Sequence, residues 1–286
     1  MEKYALVLEG GGMRGAYTAG ALAWLTDNHI SFDYGVGISS GAVALVCYMQ
    51  DNKTTAYNML TKYVCKSENI GIKAFFTEGH YVAYKQLFKE DLLGKEKLSI
   101  EPLRNSDKAM IGEMGAYDLK QGKTVFFDVK DIDDNLDLLR GACALPIASA
   151  VVDYKDGKYL DGGITTMIPI ERSIELGYTK HLIITTKPAD YKRKPASKFI
   201  LFLMNICYKK YPSIIKDYRI RHINYYKQMD IIDNLVEKND AIMVRPTKSI
   251  PISRFKGDPE HITELFNLGY QDMEDRKEEI LKFLGK

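Results

Sequence analysis

Tyr34-Gly35-Val36-Gly37-Ile38-Ser39-Ser40-Gly41-Ala42 is the stretch on which the reading of this chain turns. A short apolar run leads into a Gly-x-Ser-x-Gly turn, and Ala42-Val43-Ala44-Leu45-Val46-Cys47-Tyr48-Met49 follows with a helix-compatible composition. A serine at the apex of a strand-to-helix turn is pushed clear of the backbone. Its Oγ then stands at the edge of the sheet with a helix N-terminus beneath it. Gly37 and Gly41 are needed because side chains two residues either side of the apex would collide. Ordinary Gly/Ser turns share this five-residue pattern, so the flanking sequence has to decide.

Upstream, Tyr4-Ala5-Leu6-Val7-Leu8 is a continuous apolar run, as expected of a strand buried on both faces of a parallel sheet. It ends in Glu9-Gly10-Gly11-Gly12-Met13-Arg14-Gly15, and Tyr17, Ala21, Leu22, Trp24 and Leu25 recur at helical spacing after it. With Phe32 to Ile38 as the second strand, the first fifty residues read β-α-β-α. Both glycine-rich turns lie at carboxyl ends of strands, the edge where open α/β sheets bind ligands. The first turn also matches the G-x-G-x-x-G dinucleotide pattern. That reading needs an acid at the carboxyl end of the second strand. Asp33 stands at the strand's start, at the opposite edge, and the residue at the correct edge is Ser39. The dinucleotide reading therefore loses most of its weight.

A hydrolase uses both turns together. Successive glycine N–H groups can face a developing oxyanion, Ser39 supplies the nucleophile, and the base is Asp161 or a histidine.

Farther on, residues 51–120 read as mixed, helical or irregular, with Phe75 to Tyr81 as a loop and Tyr84 to Phe88 as a short helix. Thr124 to Val129 alternates as a strand, and a helix lies between Asp133 and Ser149. Ala150 to Tyr154 and Lys158 to Asp161 flank an Asp156-Gly157 turn, a hairpin signal. Its exit is a second acid-glycine turn, Asp161-Gly162-Gly163. Ile170 to Gly177 is a helix stopped by glycine, His181 to Thr186 a buried strand, and Ala241 to Val244 a last strand. Asp258-Pro259 opens a helical C-terminus.

With 286 residues, 45% hydrophobic and 27% charged, the chain is an ordinary globular protein of one large domain with or without an appendage. A net charge of +2 argues against a nucleic-acid partner. Cys47, Cys65, Cys143 and Cys207 are widely spaced and form no zinc or disulfide pattern, so no metal is expected; they read as buried thiols of a reducing compartment. No signal peptide is visible, and the longest apolar run, Phe199 to Tyr208, falls short of the roughly 20 residues a bilayer span takes. A cytoplasmic protein is the expectation.

Three elements now stand in order: Gly10-Gly11-Gly12-Met13-Arg14-Gly15, Gly37-Ile38-Ser39-Ser40-Gly41 and Asp161-Gly162-Gly163. Together they resemble the signature of the patatin-like phospholipases, and Ala142 to Pro146 resembles that family's Ala/Pro segment before its aspartate. The match covers about residues 4 to 175. What the resemblance implies is a three-layer α/β/α fold with a mainly parallel sheet and a Ser39–Asp161 dyad without histidine. It also implies an oxyanion hole in the 10–15 loop, and hydrolysis of lipid acyl esters with no cofactor or metal. Gly163 stands where many members have alanine; both are expected to fit the turn. A free carboxylate is a poor base for a serine, so burial or a relaying water has to assist it.

The division expected is a patatin-like catalytic domain over 4–190 and a basic, helical extension over 191–286 packed on the same core. Lys192 to Lys227 holds ten Lys/Arg against Asp217, interleaved with aromatic residues. The segment either contacts an anionic membrane, with Lys209, Lys210, Arg219 and Arg221 as candidates, or covers the sheet as a solvated helix. Asp118 and Asp128 read as solvated, the five histidines as surface or strand-end residues, and Arg14 as either an anion-neutralising or a loop-locking group. Two rivals remain: a Ser-Asp-His esterase using His181, His222 or His261, for which the serine comes too early in the chain, and a lipid-binding regulator with a relic site.

Overall fold

A computed structural model describes residues 3–106 and 110–286. Its centre is an eight-stranded sheet. β1 (Tyr4–Leu8) leads through α1 (Gly15–Asp27) to β2 (Tyr34–Ile38) and α2 (Ser40–Met49). Three short helices follow, α3 (Lys53–Tyr57), α4 (Ile72–Glu78) and α5 (Glu101–Arg104), before β3 (Ile111–Asp118) and β4 (Lys123–Asp128). Then come α6 (Asp137–Cys143), β5 (Val152–Tyr154), β6 (Gly157–Asp161), α7 (Ile170–Glu175) and β7 (Lys180–Ile184). The chain closes with α8 (Lys198–Cys207), α9 (Pro212–Glu237), β8 (Ala241–Val244), α10 (Pro259–Asp275) and α11 (Lys277–Phe283).

The strand order is β5-β6-β3-β2-β1-β7-β8, with β4 also on β3. The run β3-β2-β1-β7-β8 is parallel throughout; β4, β6 and β5 join antiparallel. Because successive strand residues face opposite sides, β1 serves two cores. Leu6 and Leu8 pack with α1, α2 and α10, while Ala5 and Val7 pack with Ile168 and Ile170 and with Tyr225 and Ile232 of α9. That is the three-layer α/β/α arrangement. The C-terminal segment shares both layers. β8 extends the sheet, and α10 lies along α1, where Tyr17 and Trp24 donate to Asp272 at 2.8 Å and Glu274 at 2.6 Å.

Several expectations need correction. Phe75 to Glu78 belongs to α4 rather than to a loop, and leaves Phe75 and Phe76 exposed. β3 runs through a stretch read as irregular. Asp118 is buried, where it accepts from the N–H groups of Lys120 at 2.7 Å and Gln121 at 3.0 Å and closes the β3–β4 turn. Of the cysteines, Cys65 is half-buried and Cys207 exposed. No helix among the described residues is long and apolar enough to cross a membrane.

Candidate active site

The register puts the two turns side by side. Leu8 of β1 pairs with Gly37 of β2, so Gly10 and Ser39 leave adjacent strands at one level of the carboxyl edge. Ser39 adopts φ +56°, ψ −124°, a conformation that costs a non-glycine residue about 1–3 kcal/mol and marks functional turns. The glycines permit it. A Cβ on Gly37 would come within 2.5 Å of the Gly41 backbone, and one on Gly41 within 2.9 Å of the Leu8 and Glu9 carbonyls.

Asp161 reaches this level from the opposite direction. β3 overhangs the edge, pairing Gly115 with Ile38, and then Ala116 with Asp161 of the returning β6. The strand therefore delivers its last residue one step beyond Ile38, beside Ser39. Asp161 Oδ1 accepts from Gly163 N–H at 2.7 Å, which fixes the carboxylate's orientation. Thr124 Oγ1 donates to the Gly162 carbonyl at 2.9 Å and Arg221 Nε to that of Gly163, pinning the turn. A Cβ at Gly163 would lie 2.8 Å from Asp161 Oδ1, so the position is tighter for alanine than its turn chemistry alone implies.

Ser39 and Asp161 are 6% and 5% exposed and line one cavity of about 30 Å³ with Gly10, Gly11, Gly12, Arg14 and Gly163. Gly15, Gly37, Gly41 and Gly162 shape the turns from behind, and Met13 borders an adjoining apolar cleft of about 40 Å³. Hydrogen bonding already occupies most of the loop's donors. Gly10 N–H donates to the Met167 carbonyl at 3.1 Å, Gly11 N–H to Ser40 Oγ at 2.9 Å and Met13 N–H to the Arg254 carbonyl at 3.5 Å. Arg14 and Gly15 donate to the Gly11 and Gly12 carbonyls. Gly12, at φ +60°, is left with an N–H that has no acceptor among the described residues.

The cavity is rich in cations: Arg14, Lys187, Arg193, Arg221 and Arg254 all line it. Lys187 is buried against Glu9, whose other oxygen accepts from Thr186 N–H at 2.7 Å and Thr186 Oγ1 at 3.0 Å. Burial pulls the Lys187 ammonium below its usual range, and the Glu9 carboxylate opposes that shift. Burial also brings the Arg221 guanidinium down to about 9, aided by Arg254 and Arg193. Burial lowers Arg14 as well. None of the four arginines has an ion-pair partner among the described residues.

Arg221, grouped by sequence with the surface cations, thus faces the site instead. Lys187 was not singled out in the sequence, although it directly follows the run His181 to Thr186 read as a strand. Arg254 carries no sequence signal; it stands in an irregular segment far along the chain. None of the five histidines lines the cavity. His181 is buried near the opposite end of β7, where its Nδ1 lies 3.1 Å from Ser173 Oγ, and burial pulls the ring down to about 4. Roomier clefts of about 1170 and 850 Å³ contain neither Ser39 nor Asp161, so volume alone would point away from the chemistry. No group of three or more His, Cys, Asp or Glu among the described residues is placed to hold a metal ion.

Among curated proteins, the chain is 28% identical over 207 residues to the uncharacterized protein YjjU of Escherichia coli, covering 68% of this chain and 54% of that one. It is 26% identical over 212 residues to the probable lipid hydrolase 463L of Invertebrate iridescent virus 6, covering 66% of this chain and 71% of that one. The chain thus spans about half the length of the first of these relatives. Among solved structures it is similar to VipD from Legionella pneumophila, with a TM-score of 0.48 at 11% identity, covering 96% of this chain and 66% of that one. Residues 211–285 match a domain of unknown function, DUF6363. Residues 6–174, more than half the chain, match the patatin-like phospholipase family, and the chain belongs to that family.

Proposed function

We propose that this protein is a serine acyl-ester hydrolase of lipid substrates, of the phospholipase A or lysophospholipase type. The observation that carries the reading is Ser39 in a strained left-handed turn, sharing one cavity with a carboxylate oriented by Gly163 N–H. In the first step Ser39 Oγ attacks the ester carbonyl carbon and its proton passes to Asp161, directly or through one water. The carbonyl oxygen becomes an oxyanion, for which the unpaired Gly12 N–H is the available loop donor. Collapse breaks the C–O bond, and the proton on Asp161 leaves with the alcohol. Water then attacks the acyl-enzyme with Asp161 again accepting the proton, which releases the fatty acid and restores Ser39.

The apolar cleft adjoining the site suits the acyl chain. Its walls include Val64, Ile70, Val82, Leu87, Leu145 and Phe255, and it shares Gly12, Leu145 and Arg254 with the Ser39 cavity. At about 30 and 40 Å³ the two spaces hold a few waters between them, so an acyl ester enters by displacing a wall. Peripheral membrane contact belongs to the same proposal. α8 presents Phe199, Phe202 and Ile206 at 67, 60 and 62% exposure, and Lys209 and Lys210 follow it directly.

Fluorophosphonate labelling combined with turnover of p-nitrophenyl esters and lysophospholipids tests the reading. Wild type should label and turn over; Ser39→Ala should do neither, and Asp161→Asn should lose turnover while remaining folded. Labelling that survives in Ser39→Ala would place the nucleophile elsewhere. A Ser-Asp-His triad predicts a large loss in one histidine variant, and none of the five histidines lines the cavity.

A further inference from the structure

We infer that the C-terminal segment builds a headgroup subsite for a phosphate monoester onto the Ser39–Asp161 site; this rests on the hydrolase reading above. The matched patatin-like region ends at residue 174, yet Lys187, Arg193, Arg221 and Arg254 all lie beyond it. Arg221 and Arg254 fall inside the domain of unknown function. Arg221 comes from α9 and Arg254 from the irregular stretch between β8 and α10, while Arg193 precedes α8. Three separate parts of the segment therefore converge on one small cavity.

Their bonding is incomplete. Arg193 Nε is buried with no hydrogen-bond partner among the described residues, and its guanidinium lies over the Tyr225 ring with 4.7 Å to the centroid. Arg221 spends Nε on the Gly163 carbonyl and has no carboxylate in ion-pair range among the described residues. Arg254 passes directly over Gly12, where a Cβ would meet its Cγ at 2.8 Å. The lining carries a single carboxylate, Asp161, and the nearby Glu9 is already engaged by Lys187.

Like charges held together with open donors repel one another, and the arrangement is relieved when an anion enters. Arginine forks match phosphate oxygens in geometry. A phosphate monoester brings up to two negative charges and no cation of its own. A choline ester brings a compensating ammonium into a cationic wall, and a neutral glyceride brings no charge. The site thus ranks substrates by headgroup, with the acyl chain turned toward the apolar cleft on its other side.

The test compares three esters with one acyl chain: lysophosphatidic acid, lysophosphatidylcholine and monoacylglycerol, each dispersed below its aggregation limit. The expected result is a kcat/KM for lysophosphatidic acid about tenfold or more above the other two, narrowing as salt is raised. Arg193→Gln and Arg254→Gln should each erase most of that preference, and Arg254→Lys should restore part of it. Calorimetric titration of Ser39→Ala protein with glycerol 3-phosphate, glycerophosphocholine and inorganic phosphate separates a headgroup site from a simple anion site. Tighter binding of glycerol 3-phosphate than of either other probe supports the headgroup. Equal binding of inorganic phosphate overturns it. If all three esters turn over alike, the subsite is wrong and the hydrolase stands. If none turns over and fluorophosphonate does not label, the hydrolase reading fails. The subsite then stands or falls on whether arginine-dependent glycerol 3-phosphate binding persists.

Discussion

Gly12→Ala tests the oxyanion assignment most directly, because this residue holds the loop's one uncommitted N–H and two effects of the substitution can be separated. Gly12 sits at φ +60°, where an L-residue costs roughly 1–2 kcal/mol. A Cβ there would also meet Arg254 Cγ at 2.8 Å and its carbonyl oxygen at 2.9 Å, so the loop has to shift. Gly177 is a matched control: it has φ +80° and nothing within 4 Å of its would-be Cβ. Strain alone therefore acts in Gly177→Ala. Gly177→Ala should lose about 1–2 kcal/mol in denaturant unfolding and Gly12→Ala at least as much, the clash adding to the strain. Only Gly12→Ala should slow acyl-enzyme formation on a p-nitrophenyl ester, by about 10²–10³, the usual loss when one oxyanion donor is misplaced. A folded Gly12→Ala protein that acylates at the wild-type rate refutes the assignment of that N–H.

Three further outcomes follow. Gly163→Ala places a methyl 2.8 Å from Asp161 Oδ1, so kcat should fall roughly 10²-fold through a misplaced base, with fluorophosphonate still reaching Ser39. His181 is held neutral by burial with its ring lowered to about 4, while the unfolded chain takes up a proton near 6.5. Its contribution is present above that value and is lost as pH falls toward 4. Stability at pH 5 should therefore lie roughly 2 kcal/mol below that at pH 7.5 on this account, and His181→Gln should flatten the slope. For membrane contact, the protein should sediment with anionic but not zwitterionic vesicles at low salt. Phe199→Ser with Phe202→Ser, or Lys209→Gln with Lys210→Gln, should weaken that binding, each lysine contributing up to about 1 kcal/mol. Indifference to all four changes would leave α8 a cover for the core.

Much of the fold was legible because its central strands report themselves. Tyr4 to Leu8 and Leu182 to Ile184 are unbroken apolar runs, and both turns that matter carry glycines forced by close backbone approach. β3 was not legible. Gly112, Glu113 and Gly115 interrupt it, which lowers its strand propensity, and its place is secured by pairing with β2, β4 and β6 instead. Asp118 at its end read as solvated because an isolated acid in a polar turn usually is, but here it is buried and satisfied by the turn's own N–H groups. At the site, Ser39, Asp161 and the glycines belong to short ordered motifs and could be found one by one. The arginines could not: Arg193, Arg221 and Arg254 meet only after β8 and α9 have packed, and local spacing carries no record of that.

The cationic wall also bears on how a carboxylate can serve as the base. In the mechanism proposed above, proton transfer from Ser39 to Asp161 would move negative charge from one side of the cavity to the other. A uniform positive field would stabilise both ends alike and change nothing. What matters is the difference in potential between the carboxylate and the oxyanion. Asp161 Oδ1 is held by a backbone N–H, and Arg221 acts on it through the Gly163 carbonyl rather than by an ion pair. Gly12 N–H, Arg254 lying over it and Arg14 at the end of the same turn stand on the glycine-loop side instead. The asymmetry favours charge arriving at the oxyanion over charge remaining on Asp161. On this argument, Arg254→Gln should lower kcat on a neutral ester as well as the phosphate preference. Arg193→Gln, whose guanidinium lies over the Tyr225 ring and shows no contact with the Gly12 backbone like that of Arg254, should act chiefly on the phosphate preference. An equal effect of both substitutions on the neutral ester would show that the wall acts through its total charge and not through its placement.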